Sequence, residues 1–238
     1  MKKELLIASL FAATAAVADS TMTTSNTLGF VPVSSDMAMA KASSDMYLVA
    51  VPFAAYGSTD AKPVPVPVSE VIQTANLTKG DELYIPAKDG KYDNYKLEED
   101  KTWTPANVVT LGADGGATVV SGTPATEATV ARGSAFWVKT GASQINLLGE
   151  GKTDAPTVTA VGGVSKLKWT LVGSTAATKT ISLASLGGSK GDVIVLANGT
   201  KYLCSGSTWY LNGQTEVTDV TIPAGVGFWY ATKTNKSL

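Results

Sequence analysis

The chain carries no histidine and one cysteine, Cys204. That removes Ser-His-Asp and Cys-His catalysis and the commonest zinc and iron ligand, and it leaves no intrachain disulfide. Carboxylates are what remains for acid–base work. Glu98, Glu99 and Asp100, beside Asp81, Asp89 and Asp93, are the candidates. A histidine-free glycosidase would need two of them facing each other across a cleft, roughly 5–10 Å apart. Glu98-Glu99-Asp100-Lys101 reads better as a charged run at a hairpin end. Gly187-Gly188-Ser189-Lys190-Gly191 matches the G-x-S-x-G string, but that elbow requires a strand–turn–helix context and a histidine base. Ser165 and Lys168 fit S-x-x-K without its partner motifs. Gly149-Glu150-Gly151-Lys152-Thr153 ends like a phosphate loop, yet Asn146 stands where that loop needs glycine. Asp89–Asn94 offers oxygen ligands, but Lys91 occupies a position where a calcium loop needs an acid. The sequence therefore predicts no catalytic residue, no metal and no cofactor, and the chain reads as non-enzymatic.

Aromatic side chains are the other candidates. Trp103, Trp209, Tyr210, Tyr92 and Tyr202 fall near predicted hairpin tips, where they could stack on sugar rings or peptides. Trp137 and Trp229 follow Phe136 and Phe228, and adjacent strand residues point to opposite faces. One ring of each pair is expected in the core and the other against a second layer or solvent. These seven residues form the candidate ligand or assembly surface, with burial in the core as the competing reading for each. Cys204, in the strand-like Lys201-Tyr202-Leu203-Cys204, reads as a small buried apolar group.

The elements that must position these residues are short β-type runs separated by Gly, Asn, Asp and Pro. They are Met46–Phe53, Glu82–Ala87, Ala135–Thr140, Trp169–Val172, Val193–Ala197 and Val217–Ile222. Ser69–Thr74 and Ser182–Leu186 predict a turn or two of helix, capped by Ser69 and Ser182. Two halves of the chain follow one script. Lys79-Gly80-Asp81 and Lys190-Gly191-Asp192 each enter a strand. Asp89-Gly90 and Asn198-Gly199 predict tight turns, leading to Lys91-Tyr92 and Lys201-Tyr202. A lone Trp103 or Trp209 follows, and each half closes on Phe136-Trp137 or Phe228-Trp229. Asp81 and Asp192, matched between halves, read as turn or cap residues. Leu111–Ala128 is extra in the first half and reads as an inserted loop or hairpin.

Composition sets the class. At 44% hydrophobic and 16% charged the chain is globular, and a net charge of −1 argues against nucleic-acid partners. Met1-Lys2-Lys3, the run Leu5–Phe11 and Ala16-Val17-Ala18 are the three parts of a secretory signal peptide. The expected location is extracellular or the cell surface, with the periplasm as the alternative, and no membrane span in the mature chain. The expected organisation is a signal peptide over 1–18, a Ser/Thr/Met-rich segment with one strand over 19–45, a β repeat over 46–148, a linker over 149–156 and a second repeat over 157–238. Pro63, Pro65 and Pro67 read as an edge or connector.

Pro223-Ala224-Gly225-Val226-Gly227-Phe228-Trp229, with the Gly-Asp strand entries and the Asn-Gly hairpin, resembles a motif in a group of secreted bacterial two-repeat β proteins. The first half departs from it with Ala131-Arg132-Gly133-Ser134-Ala135-Phe136-Trp137. The resemblance supplies no activity and no site. The sequence thus predicts an all-β fold of two related antiparallel sandwich or partly open barrel repeats. The predicted function is structural, as a self-assembling filament or surface-layer subunit. The competing function is a carbohydrate- or peptide-binding module. Partners are further copies of the chain, a glycan or a surface protein.

Overall fold

A computed structural model describes residues 27–54, 66–87, 91–106, 108–111, 117–120, 122, 124–151, 158–163, 165–174, 181–218 and 220–238. The expected signal peptide, the Asp89-Gly90 turn, Pro63 and Pro65 lie outside them.

The fold is all-β and antiparallel, and none of its sheets closes into a barrel. The first sheet holds, in spatial order, Met46–Ala50, Ala135–Lys139, Glu82–Pro86, Tyr92–Leu97 and Trp103–Pro105. The second holds Lys168–Val172, Phe228–Thr232, Val193–Leu196, Lys201–Ser205, Thr208–Leu211 and Thr215–Val217. These runs form strands because they are rich in Val, Ile, Leu and aromatic residues; some alternate and bury one face, while Met46–Ala50 and Phe228–Thr232 are buried at nearly every residue. In Lys201–Ser205, Tyr202 and Cys204 are buried while Lys201, Leu203 and Ser205 are exposed. The predicted strand Val217–Ile222 is instead two strands, Thr215–Val217 and Thr221–Ile222. A hairpin of Val108–Leu111 with Ala117–Val120 straddles the start of the inserted stretch.

The strand orders of the two sheets run in parallel, and so do their hydrogen bonds. Trp137 lies opposite Leu48 as Trp229 lies opposite Leu171. Gly80 N–H donates to the Leu97 carbonyl at 2.9 Å, and Gly191 N–H donates to the Cys204 carbonyl at 2.8 Å. This register corrects one predicted match. Leu83 faces Tyr95 and Ile194 faces Tyr202, so the counterpart of Tyr202 is Tyr95 and not Tyr92. The first hairpin runs further before it turns, through a Pro86–Tyr92 pair. The second closes at Leu196, whose N–H donates to the Thr200 carbonyl.

The helices are single turns, Val68–Val71 and Leu183–Leu186. Ser69 lies inside the first and is not its cap. Ser182 does precede the second, but no side-chain bond caps either helix. Short strand pairs flank them, Val66–Pro67 with Thr129–Val130 and Ile181–Ser182 with Thr221–Ile222. Those pairs and the burial of Val68, Val71, Leu183 and Leu186 fix the turns in place.

A third sheet pairs Thr27–Ser34 with Gln144–Gly151, with Ile72–Gln73 beyond. Gly149-Glu150-Gly151, predicted as the start of a linker, therefore belongs to a strand, and Glu150 is buried. The reason is close approach. Gly29 and Gly149 face each other in register, and a Cβ on either would overlap Phe53. These glycines make a slot for a fully buried ring.

One continuous buried cluster runs through both main sheets, from Val31 and Leu83 to Ile194 and Tyr230. The seam between the sheets is reciprocal. Ala50 N–H donates to the Gly225 carbonyl and Gly173 N–H donates to the Gly133 carbonyl, each at 2.8 Å. Glycine is required here by proximity. A Cβ on Gly173 would lie 2.8 Å from both Ala50 Cα and Ser134 O, and one on Gly227 would lie 2.5 Å from Ala135 Cβ.

Candidate functional site

The two matched aspartates are buried and fully engaged. Asp81 accepts from Thr78 N–H at 2.9 Å and from Thr140 Oγ1 at 2.7 Å. Asp192 accepts from Ser189 N–H at 2.8 Å and from Tyr230 Oη at 2.6 Å, with Lys236 Nζ at 3.7 Å. Both carboxylates tie a turn to the body of a sheet. Burial, then the Asp192 hydrogen bond, pushes the Tyr230 phenol well up. Tyr84 is raised to about 12, first by its hydrogen bond to Glu82 and then by burial.

The string Gly187–Gly191 follows a helix and precedes a strand, the reverse of an elbow, and Gly187 takes a left-handed conformation as the helix C-cap. The Glu98–Lys101 run caps the hairpin from Tyr92–Leu97 to Trp103–Pro105. There Glu99 meets Lys79 at 3.5 Å in solvent, and hydrogen bonds from Thr102 lower the Asp100 pKa. Among the described residues no cluster of three or more His, Cys, Asp or Glu could hold a metal ion, and no helix is long and apolar enough to cross a membrane. Cys204 is buried with its thiol pKa raised, first by burial and then by the charge of Asp192.

The seven aromatic candidates divide. Trp103 and Trp209 are 7% and 2% exposed, and Tyr202 is buried, so these three are core residues. The indole N–H of both Trp103 and Trp209 lacks a hydrogen-bond partner. Each tryptophan lies on the inner face because it pairs with Leu97 or Cys204, which point inward. Trp137 and Trp229 are half-buried on the outer faces, while Phe136 and Phe228 are fully buried on the inner ones. Both tryptophans pack around a small second cluster of Leu48, Ala135 and Leu171. Tyr210 is half-buried, and Tyr92 is 39% exposed.

Two of the seven, Tyr92 and Trp229, meet at an open groove of about 520 Å³ between the sheets. A third aromatic joins them there. Trp169, 45% exposed, belongs to the candidate strand Trp169–Val172 and not to the seven. Its signal was the alternation Trp169-Thr170-Leu171, which sets Trp169 and Leu171 on one face. The first sheet and its flanking residues contribute Ile85–Ala87, Lys91 and Tyr92, Ala131 follows the short strand Thr129–Val130, and the second sheet contributes Lys168–Leu171 and Trp229. The groove falls within the usual size range of ligand clefts, and its aromatic rings offer stacking surface.

The outward face of the second sheet extends this apolar surface. Trp169, Ala231, Val193, Leu203, Tyr210 and Glu216 form one row in register across six strands. The matching row of the first sheet is Met46, Lys139, Glu82, Lys96 and Thr104, where Lys139 and Glu82 pair at 3.8 Å. Lys139, Glu82 and Lys96 thus stand at the lattice positions that buried Ala231, half-buried Val193 and exposed Leu203 hold in the second sheet.

No protein family matches the chain, and neither the curated proteins nor the solved structures yielded a match.

Proposed function

We propose that this chain is an exported, non-enzymatic interaction protein, made of two copies of one β unit, that associates with further copies of itself at the cell surface or outside it. The observation that carries the reading is the outward face of the second sheet, where exposed Trp169 and Leu203 and half-buried Val193 and Tyr210 lie in one row, against Lys139, Glu82 and Lys96 in the matching row of the first. Exposed Leu203 and Trp169 have no role in the core, and contiguous apolar surface of this kind marks contact sites.

Size sets the mode of association. Six strands at about 4.8 Å and one row about 7 Å wide give a face of roughly 170–200 Å². A stable dimer buries about 800 Å² per partner. One such face alone is a weak contact, suited to an array in which each subunit touches several neighbours. Strand donation by Thr27–Ser34 is not part of the proposal, because that strand is paired along its length with Gln144–Gly151 of its own chain.

Light scattering and negative-stain imaging of the purified protein across concentration test this. Association is expected for the wild type and its loss for Leu203→Lys, which leaves stability within about 0.5 kcal/mol because the site is exposed. A strictly monomeric wild type at high concentration overturns it. The groove of Tyr92, Trp169 and Trp229 favours a second reading, a binding module for a carbohydrate or peptide.

A further inference from the structure

The matching edges of the two sheets are treated differently. In the first sheet, the edge strand Met46–Ala50 is sealed by the segment ahead of Phe228. Ala50 N–H donates to the Gly225 carbonyl, Gly227 N–H donates to the Leu48 carbonyl at 3.0 Å, and Val49 bridges Val226. In the second sheet the edge strand is Lys168–Val172. Gly173, just past its end, reaches the Gly133 carbonyl. Beyond that, among the described residues, nothing corresponds to the Gly227–Leu48 bond, and the strand pairs only with Phe228–Thr232. Among the described residues one edge is closed, and its counterpart is met only by Gly173 and by Val161 N–H, which donates to the Thr170 hydroxyl at 3.2 Å. Open backbone edges are templates for another strand.

The open edge runs beside the aromatic groove, which is lined by Lys168, Trp169, Thr170 and Leu171 of that strand. The opposite wall includes Tyr92 and Ala131. Tyr92 is there because the first hairpin runs further than the second; Pro86 pairs with Tyr92, beyond the point where the second hairpin has turned. Lys168 of the edge strand is exposed at the groove, and no carboxylate is among the described lining residues.

We propose that Lys168–Val172 and this groove bind an extended peptide segment of a partner protein, which adds as a strand to the open edge and carries acidic side chains. Three observations argue for this occupant. The matching edge is met by backbone, a single antiparallel bridge of Val226 to Val49 just after the turn at Gly225, so main-chain groups can dock on an edge of this kind. An edge of this length, about 17 Å, takes about five residues, with alternate side chains directed into the groove. Exposed Lys168 complements an acid, and the exposed rings of Trp169 and Tyr92 receive apolar side chains. The site shares Trp169 with the self-association face but does not include Leu203, so the two proposals fail separately.

The test is selection from a phage-displayed library of random peptides on the wild type, with counter-selection on Ala131→Trp. Ala131 is exposed and lines the groove, so the new ring fills the groove without entering the core. An unchanged thermal midpoint checks that the variant folds. The expected result is peptides with alternating apolar residues and at least one acid. Their binding falls at least tenfold with Ala131→Trp and with Lys168→Glu, and is unchanged by Leu203→Lys. Bound peptide also slows hydrogen exchange at the Lys168–Val172 amides. Four results overturn the proposal: no peptide that depends on Ala131; dependent peptides that leave those amides unprotected; oligogalacturonate binding blocked by Ala131→Trp in place of peptide; or a dimer dissolved by Ala131→Trp, which would make the occupant a second copy.

Discussion

Gly173→Ala tests the seam between the sheets most directly. The added Cβ would overlap Ala50 Cβ and lie 2.8 Å from both Ala50 Cα and Ser134 O. Two of these three neighbours are backbone atoms, which cannot rotate away. Relief requires the sheets to separate locally, and that breaks the bond from Gly173 N–H to the Gly133 carbonyl. Overpacking a close contact costs about 1–3 kcal/mol, and a lost hydrogen bond adds about 1. The expected loss is therefore about 3 kcal/mol, or roughly 6–12 °C in Tm for a chain of this size. Gly141→Ala is the control. Nothing lies within 4 Å of its Cβ and its backbone is not left-handed, so it should change stability by less than about 1 kcal/mol, in the stabilising direction. Urea unfolding followed by tryptophan fluorescence measures both. If Gly173→Ala proved as stable as Gly141→Ala, the reciprocal seam would not hold the sheets together and the reasoning would be refuted.

Other predictions follow from buried polar groups. Burial raises the Tyr230, Tyr95 and Tyr202 phenols above their ordinary value of 10.0. The folded state then keeps protons that the unfolded state releases, so stability is intact below pH 10 and falls as pH rises beyond it. The slope is about 1.4 kcal/mol per pH unit for each such tyrosine, and the urea midpoint measured from pH 9 to 12 should fall accordingly. Asp192→Ala strands the Tyr230 hydroxyl and the Ser189 N–H, and should cost about 2–4 kcal/mol. In a double-mutant cycle with Tyr230→Phe the losses should be less than additive; strict additivity would mean that the Asp192–Tyr230 hydrogen bond contributes nothing. Cys204, buried with a raised pKa, should resist a thiol reagent in the native protein and react only on unfolding, as labelling through a urea titration would show.

The strands were legible because their side chains alternate. Phe136-Trp137 and Phe228-Trp229 show the limit of that signal: alternation assigns the two rings to opposite faces, but not which ring goes inward. The third sheet was legible only in part. Leu28–Val33 reads as a strand, but its partner looks like a linker, because Gly149 signals a turn unless a ring such as Phe53 needs its space. The hairpin frame misled in a different way. Lys91-Tyr92 and Lys201-Tyr202 match letter for letter, yet the first hairpin carries extra pairs, so Tyr95 takes the inward place and Tyr92 is carried to the groove. Trp103 and Trp209 lie near turns, where exposure is the ordinary expectation, but inward-pointing Leu97 and Cys204 opposite them fix their direction. The open edge has no sequence signal, because it depends on which distant segment reaches it.

The pairing of Thr27–Ser34 with Gln144–Gly151 also constrains time. The first strand cannot find its partner until Gly151 has been made. At about 5–20 residues per second, that interval is roughly 6–25 s on the ribosome. Closing so long a loop also costs entropy that no local contact returns, which slows folding. Throughout the wait Val31 and Val33, destined for the core, stay uncovered. For a chain read as exported, that delay is useful: a polypeptide that cannot fold from its N-terminus remains threadable through a channel, at the cost of needing protection from aggregation on the way.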